Sequence, residues 1–117
     1  MTGVFAVTDF RNSQPWNEAR FVVCELLEFT EAWSRHLKYR RLAKDVERLS
    51  VSLLDNLTRG YEQKGNPLYR RKAERSLHEL GTTVQTMLRQ GGLTASESER
   101  LKEQLQSVRQ SLMNFNL

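Results

Sequence analysis

The chain has 117 residues, with 18 Lys and Arg against 14 Asp and Glu, and a net charge of +4. This length allows one domain with one core, and 38% hydrophobic with 27% charged residues indicates a folded chain. The single cysteine excludes an intramolecular disulfide and a cysteine-based zinc site, and we see neither a signal peptide nor an apolar run of the roughly 20 residues that span a bilayer. We therefore expect a soluble, cytoplasmic protein.

The first amphipathic segment covers residues 15–37 and follows an N-terminal arm, residues 1–14, whose role the sequence leaves open. Pro15 suits the first turn of a helix, where its missing N–H has no partner to lose. Apolar and small residues then recur at spacings of three and four, which predicts one buried stripe: Trp16, Ala19, Val23, Leu26, Thr30, Trp33 and Leu37.

The apolar surface of this first helix is wider than one neighbouring helix requires. Extra apolar width often marks a second interface, so we predict that a further subunit contacts it. The candidate interface residues are Phe21, Val22, Phe29 and Trp33. The alternative is that the flanking residues pack at the edge of the chain's own bundle.

The second segment covers residues 40–60, with an inner stripe of Leu42, Val46, Leu49, Leu53, Leu57 and Gly60. Basic residues lie on the opposite side of this helix: Arg41, Lys44, Arg48 and Arg59. Gly60 is predicted to end the helix, because glycine tolerates the left-handed conformation on which helices often end.

The third segment begins at Asn66 and Pro67, which are typical of an N-cap and a first helical position. Four basic residues crowd its first two turns, where the helix dipole favours anions instead: Arg70, Arg71, Lys72 and Arg75. Such a cluster could share a phosphate with the helix N-terminus. The alternative is a set of salt bridges to acidic residues of the first helix: Glu25, Glu28 and Glu31.

The fourth segment opens with Thr94 and Glu97, which form the pattern of a capping box. A regular apolar stripe then continues to the C-terminus through Leu101, Leu105, Val108, Leu112 and Phe115. Four such segments with short connections predict an all-α protein, an antiparallel up-down-up-down four-helix bundle, over residues 15–117.

Positive charge is concentrated in the middle of the chain. Residues 35–75 hold 12 of the 18 basic and 5 of the 14 acidic residues, a local net charge of +7, and the remainder is −3. This asymmetry favours an anionic partner, such as an RNA or DNA backbone, or charge complementarity between subunits. The predicted phosphate-facing set is Arg35, Lys38, Arg40, Arg41, Lys44, Arg48, Arg70, Arg71, Lys72 and Arg75.

Motifs of catalysis are absent from the sequence. There is no glycine-rich phosphate loop, and His36 and His78 lie far from each other and from Cys24. No metal-binding pattern is present, so we expect neither a catalytic site nor a cofactor. Tyr39, Tyr61 and Tyr69 lie beside basic residues and could stack on bases.

Several short motifs together resemble a known family. Residues 56–61 are similar to the Asn-Ile-Ala-Glu-Gly-aromatic run of the bacterial four-helix-bundle proteins encoded in intervening sequences of large-subunit ribosomal RNA genes. Asp9, Phe10 and Trp16 resemble the family's opening, and residues 92–97 resemble its entry into the last helix. The matching motif positions are Asn56, Gly60, Ser76 and Glu79.

This resemblance implies a non-enzymatic homo-oligomer, with five copies expected. From their residue types, we expect structural roles for the four motif positions. Ser76 would allow close helix approach, and Asn56 and Glu79 would bond each other or backbone across the second and third helices. Arg59 and Arg75 replace an acidic residue and a glycine of the family pattern. Both changes resemble the related Avd proteins of diversity-generating retroelements, which implies a reverse transcriptase as a partner. A structural oligomer or protein adaptor is the alternative function.

Overall fold

Four helices account for most of the chain in the computed structural model, which describes residues 13–114. They are α1 (Gln14–Trp33), α2 (Arg40–Glu62), α3 (Pro67–Arg89) and α4 (Ala95–Asn114). No strand occurs among the described residues. The predicted all-α four-helix fold is confirmed. Phe115 and nearly all of the predicted N-terminal arm lie outside the described residues.

Contacts between neighbouring helices define the direction of each one. Ser111 near the end of α4 donates to Glu18 near the start of α1, which makes these two helices antiparallel. Ser76 Oγ lies 3.3 Å from Ser52 Oγ, which joins α3 to α2. The α1–α2 and α3–α4 connections share one end of the bundle, where the Tyr39 hydroxyl donates to the Gln90 carbonyl at 3.1 Å. The chain therefore runs up, down, up and down.

Each of the three caps that begin α1, α3 and α4 uses a polar side chain. Ser13 accepts from the Trp16 N–H at 3.4 Å, and Asn66 accepts from the Leu68 N–H at 3.0 Å. The predicted capping box of α4 forms in both directions, since Glu97 N–H donates to Thr94 Oγ1 at 3.1 Å and Thr94 N–H donates to Glu97 Oε1 at 2.8 Å. The start of α2 at Tyr39 lacks a side-chain cap.

Two predicted helix ends are wrong. α1 ends at Trp33 instead of residue 37, and Leu37, placed on the inner stripe, is 84% exposed in the α1–α2 connection. Gly60 does not end α2: the helix continues to Glu62 because Tyr61, the next residue, is buried and helical packing outweighs the low helix propensity of glycine. The turn after α2 is made at Gly65, whose φ is 94°.

The core lies along the axis of the bundle and is built from aliphatic side chains of all four helices. Its largest fully buried members include Leu26, Leu53, Leu80 and Leu112, one from each helix. Val22 is fully buried and Trp33 is 4% exposed, so these two predicted interface residues belong to the chain's own core. Phe29 is half-buried, and Phe21 is 66% exposed.

No described helix is both long and apolar enough to cross a bilayer.

Candidate nucleic-acid interface

The ten predicted phosphate-facing residues lie on the surface of the bundle but divide into two groups. We call the first the upper surface; it belongs to the α1–α2 connection and the start of α2 and consists of Arg35, Lys38, Arg40, Arg41, Lys44 and Arg48. We call the second the α3 cluster, which consists of Arg70, Arg71, Lys72 and Arg75. All of these residues are exposed except Arg70, which is half-buried.

The antiparallel pairing of α2 and α3 separates these two groups. Ser52 lies opposite Ser76, and Arg59 lies beside Tyr69. By this register the α3 cluster lies next to residues 53–58, in the lower half of α2. The upper surface begins at the other end of that helix and extends to Arg48, so the centres of the two groups are about 15 to 20 Å apart along the helix axis and their nearest members about 8 Å. They form two separate basic surfaces.

Several cations of the upper surface already have partners nearby. Arg35 pairs with Glu31 at 3.6 Å, and Arg48 pairs with Asp45 at 3.8 Å. Arg40 donates through Nε to the Ser34 carbonyl at 3.4 Å. These exposed contacts are weak in water, so they leave the charges largely available.

The α3 cluster is less neutralised by neighbours. Arg70 pairs with Glu74 at 3.4 Å, whereas Arg71, Lys72 and Arg75 form no ion pair with any residue in 13–114. The alternative prediction of salt bridges to α1 is wrong within the described residues. Glu25 pairs with Arg100 of α4 and Glu31 with Arg35, while α3 packs against α2 and α4 at the corner opposite α1.

A groove of about 750 Å³ runs between α3 and α4 and carries cations on both walls. Its α3 wall includes two residues of the α3 cluster, Arg71 and Arg75, together with Arg89. Its α4 wall includes Lys102 and Arg109. Glu74 is the one acidic residue in the lining, and it is engaged by Arg70.

Three of these groove cations were not among the residues predicted from sequence. Arg89 lies on the same face of α3 as Arg71, five turns further along. Lys102 and Arg109 are seven residues apart, which places them on one face of α4. That periodicity is visible in the sequence, but the sequence does not say that this face borders the basic face of α3.

Arg59, the remaining basic residue predicted on the outer side of α2, interacts with neighbouring side chains. Its guanidinium lies 3.2 Å from the Asp55 carboxylate. The hydrogen bond and charge of Asp55 raise the pKa of Arg59, and the neighbouring Tyr69 hydroxyl adds to this shift. Arg59 is therefore paired at the surface of α2 with an acidic residue of its own helix, as Arg48 is, while Arg35 pairs with an acidic residue of α1.

The four family-motif positions have mixed environments. Asn56 donates to the Ser52 carbonyl at 2.8 Å and to Ser52 Oγ at 3.2 Å, within its own helix. The expected bond between Asn56 and Glu79 does not form, and the Glu79 side chain is exposed. Ser76 is buried and meets Ser52, which the sequence did not single out, so its predicted role in close helix approach fits its position.

Aromatic side chains contribute little to these basic surfaces. Tyr61 is 7% exposed, and Tyr39 is half-buried with its hydroxyl bonded to Gln90. Tyr69 is half-buried beside Arg59. The prediction that these rings could stack on bases therefore has little structural support, since an accessible ring face is required.

Among residues 13–114, no three His, Cys, Asp or Glu side chains come together in a group that could hold a metal ion.

The family model described as 23S rRNA-intervening sequence protein matches residues 11–114, which is nearly the whole chain. No curated protein and no solved structure matches this chain.

Proposed function

The chain belongs to the 23S rRNA-intervening sequence protein family, and we propose that it is a non-enzymatic accessory protein that binds the phosphate backbone of nucleic acid. The observation that carries this proposal is that Arg71 and Arg75 are exposed and unpaired within the described residues. Both guanidinium groups are exposed, and neither has a carboxylate partner among residues 13–114. Charge-assisted bonds from arginine to phosphate oxygens suit such groups.

The distribution of charge supports backbone contacts in preference to base contacts. Cations cover the upper surface and both walls of the α3–α4 groove, and accessible aromatic rings are scarce there. Phosphate contacts position a protein on nucleic acid but carry no sequence information. Binding is therefore expected to be weakly sequence-specific and strongly dependent on salt concentration.

The proposal includes self-association into a homo-oligomer of five copies. Phe21 on α1 and Val51 on α2 are 66% and 67% exposed, and an exposed aromatic ring on a helix face is a natural centre for an interface. The resemblance to Avd proteins adds a reverse transcriptase as the enzyme that the oligomer would assist. Light scattering on the purified chain and co-purification with such an enzyme test these two parts.

A second candidate function, a structural oligomer or protein adaptor without nucleic acid, is favoured by one observation. α1 carries one arginine against four glutamates, a net charge of −3, and α3 carries five basic against two acidic residues, a net charge of +3. These helices lie at opposite corners of the bundle. The α1 face of one copy could therefore meet the α3 face of the next, which is the head-to-tail geometry that closes rings.

One experiment separates the two candidates. Binding of a structured RNA is titrated with salt for the wild type, for the double variant Arg71→Ala with Arg75→Ala, and for the control Arg20→Ala on α1. The proposed function predicts binding at low salt that weakens in the double variant and not in the control, with unchanged oligomer mass. Absence of binding at low salt, with dissociation of the oligomer in the double variant, would establish the second candidate instead.

A further inference from the structure

We infer that the α3–α4 groove seats one sugar–phosphate backbone of a nucleic-acid duplex. This inference rests on the proposed function and adds to it the place of binding and the class of ligand. The residues that carry it are the cations of the two walls: Arg71, Arg75, Arg89, Lys102 and Arg109.

The charge in the groove is arranged to receive a polyanion. Cations face it from both helices, whereas its one acidic lining residue, Glu74, is engaged by Arg70 at 3.4 Å. A polyanion that enters the groove therefore meets positive charge on either side. Release of the counterions that accompany its phosphates would drive binding.

The groove is long enough to contact several phosphates. Arg71 and Arg89 are 18 residues apart on α3, which is about 27 Å along the helix axis. One strand of a duplex advances ~3.4 Å of axis per phosphate but also winds around that axis, so a straight groove of this length follows one strand over several phosphates, fewer than about 8. A single phosphate or a mononucleotide would occupy a small part of this length.

The groove offers little to unstacked bases. The lining contains no Phe, Tyr or Trp, and His78 is its one aromatic side chain. Proteins that hold single strands supply several rings on which unstacked bases lie. A duplex keeps its bases stacked inside and presents its backbone outward, so it needs only what this groove offers. The amides of Gln85 and Gln106 add hydrogen-bonding groups for phosphate and sugar oxygens.

The experiment compares an RNA duplex, a DNA duplex and an unstructured single strand of the same sequence by fluorescence anisotropy with the whole chain at low salt. Duplexes of about 20 base pairs are longer than the stretch of one strand that the groove can follow. We expect either duplex to bind at least about tenfold more tightly than the single strand. Tighter binding of the RNA duplex would identify A-form RNA as the ligand, and tighter binding of the DNA duplex would identify B-form DNA.

Two variants on the α4 wall test the place of binding. Lys102→Gln and Arg109→Gln should each weaken duplex binding severalfold and lower the salt slope by about one, because each removes a phosphate contact. The control Arg20→Gln removes one charge from an exposed position on α1, on the side of that helix facing away from Glu18 and α4. It should bind as the wild type does. Circular dichroism is used to check that each variant remains helical.

The possible failures are distinguishable. If no nucleic acid binds at low salt, the proposed function itself fails. If duplexes bind but Lys102→Gln and Arg109→Gln bind like the wild type, while Arg41→Gln with Lys44→Gln weakens binding, the upper surface is the binding site and the groove is not. A single strand that binds as tightly as the duplexes would overturn the choice of ligand.

Discussion

The indole Nε1 of Trp33 donates a hydrogen bond to the Gly92 carbonyl oxygen at 3.0 Å, across 59 positions of sequence. Trp33 is the last residue of α1, and Gly92 lies in the connection between α3 and α4. This bond and the one from Tyr39 to Gln90 tie the two connections together at one end of the bundle. Phe29 stacks against Trp33 with ring centroids 5.5 Å apart.

Replacing Trp33 by Phe should destabilise the fold by about 1 to 3 kcal/mol. The ring remains apolar, but the Gly92 carbonyl loses its donor and a smaller ring leaves space in the core. Urea unfolding followed by circular dichroism measures the change. Leu37→Ala, at an 84% exposed position in the adjoining connection, is the control and should change the unfolding free energy by less than about 0.5 kcal/mol.

Two glycine-to-alanine substitutions should change the stability of the fold in opposite directions. Gly65 has a φ of 94°, a conformation that costs an L-residue about 1 kcal/mol or more, so Gly65→Ala should destabilise. Gly81 is inside α3, and a Cβ there would meet nothing within 4 Å, so Gly81→Ala should stabilise by roughly 0.5 to 1 kcal/mol. Thermal unfolding of both variants checks the pair. A Gly81→Ala variant that melts below the wild type would contradict this account.

Removing the N-cap side chain of α4 should lower the free energy of unfolding by a measurable amount. Thr94→Ala loses the acceptor for the Glu97 N–H and should cost about 1 kcal/mol. Ser96→Ala, at an exposed position in the same turn, is the matched control and should be close to neutral. Equal unfolding midpoints for the two variants in urea would show that the capping box contributes nothing to stability.

The contact of Ser52 with Ser76 requires a small side chain at residue 76. Ser76→Leu should destabilise by about 1 to 3 kcal/mol, because a larger side chain must displace α2 from α3. Ser76→Ala keeps the space and should cost less than about 1 kcal/mol, since Asn56 still donates to Ser52 Oγ. The unfolding free energies of the two variants are compared. Equal values would show that the packing of α2 against α3 does not require a small side chain at residue 76.

Local signals in the sequence were sufficient for the helices and for their beginnings, since α1 begins within one residue of Pro15 and α2 begins at Arg40 as predicted. Asn66 with Pro67, and Thr94 with Glu97, predict starts that the structure confirms, because a cap involves residues at most three positions apart. The ends at residue 37 and Gly60 were wrong. Whether a helix continues past a weak residue depends on what the next turn packs against, as the buried Tyr61 shows.

The sequence by itself determined that this protein is a bundle of four amphipathic helices, because the apolar period, the caps and the short connections are all local features. It also located an excess of positive charge in residues 35–75. The tertiary structure alone decided how those charges are grouped. Antiparallel packing separates the upper surface from the α3 cluster and brings Arg71 and Arg75 into one groove with Lys102 and Arg109, since the neighbours of a helix face are set by the packing of helices distant in sequence.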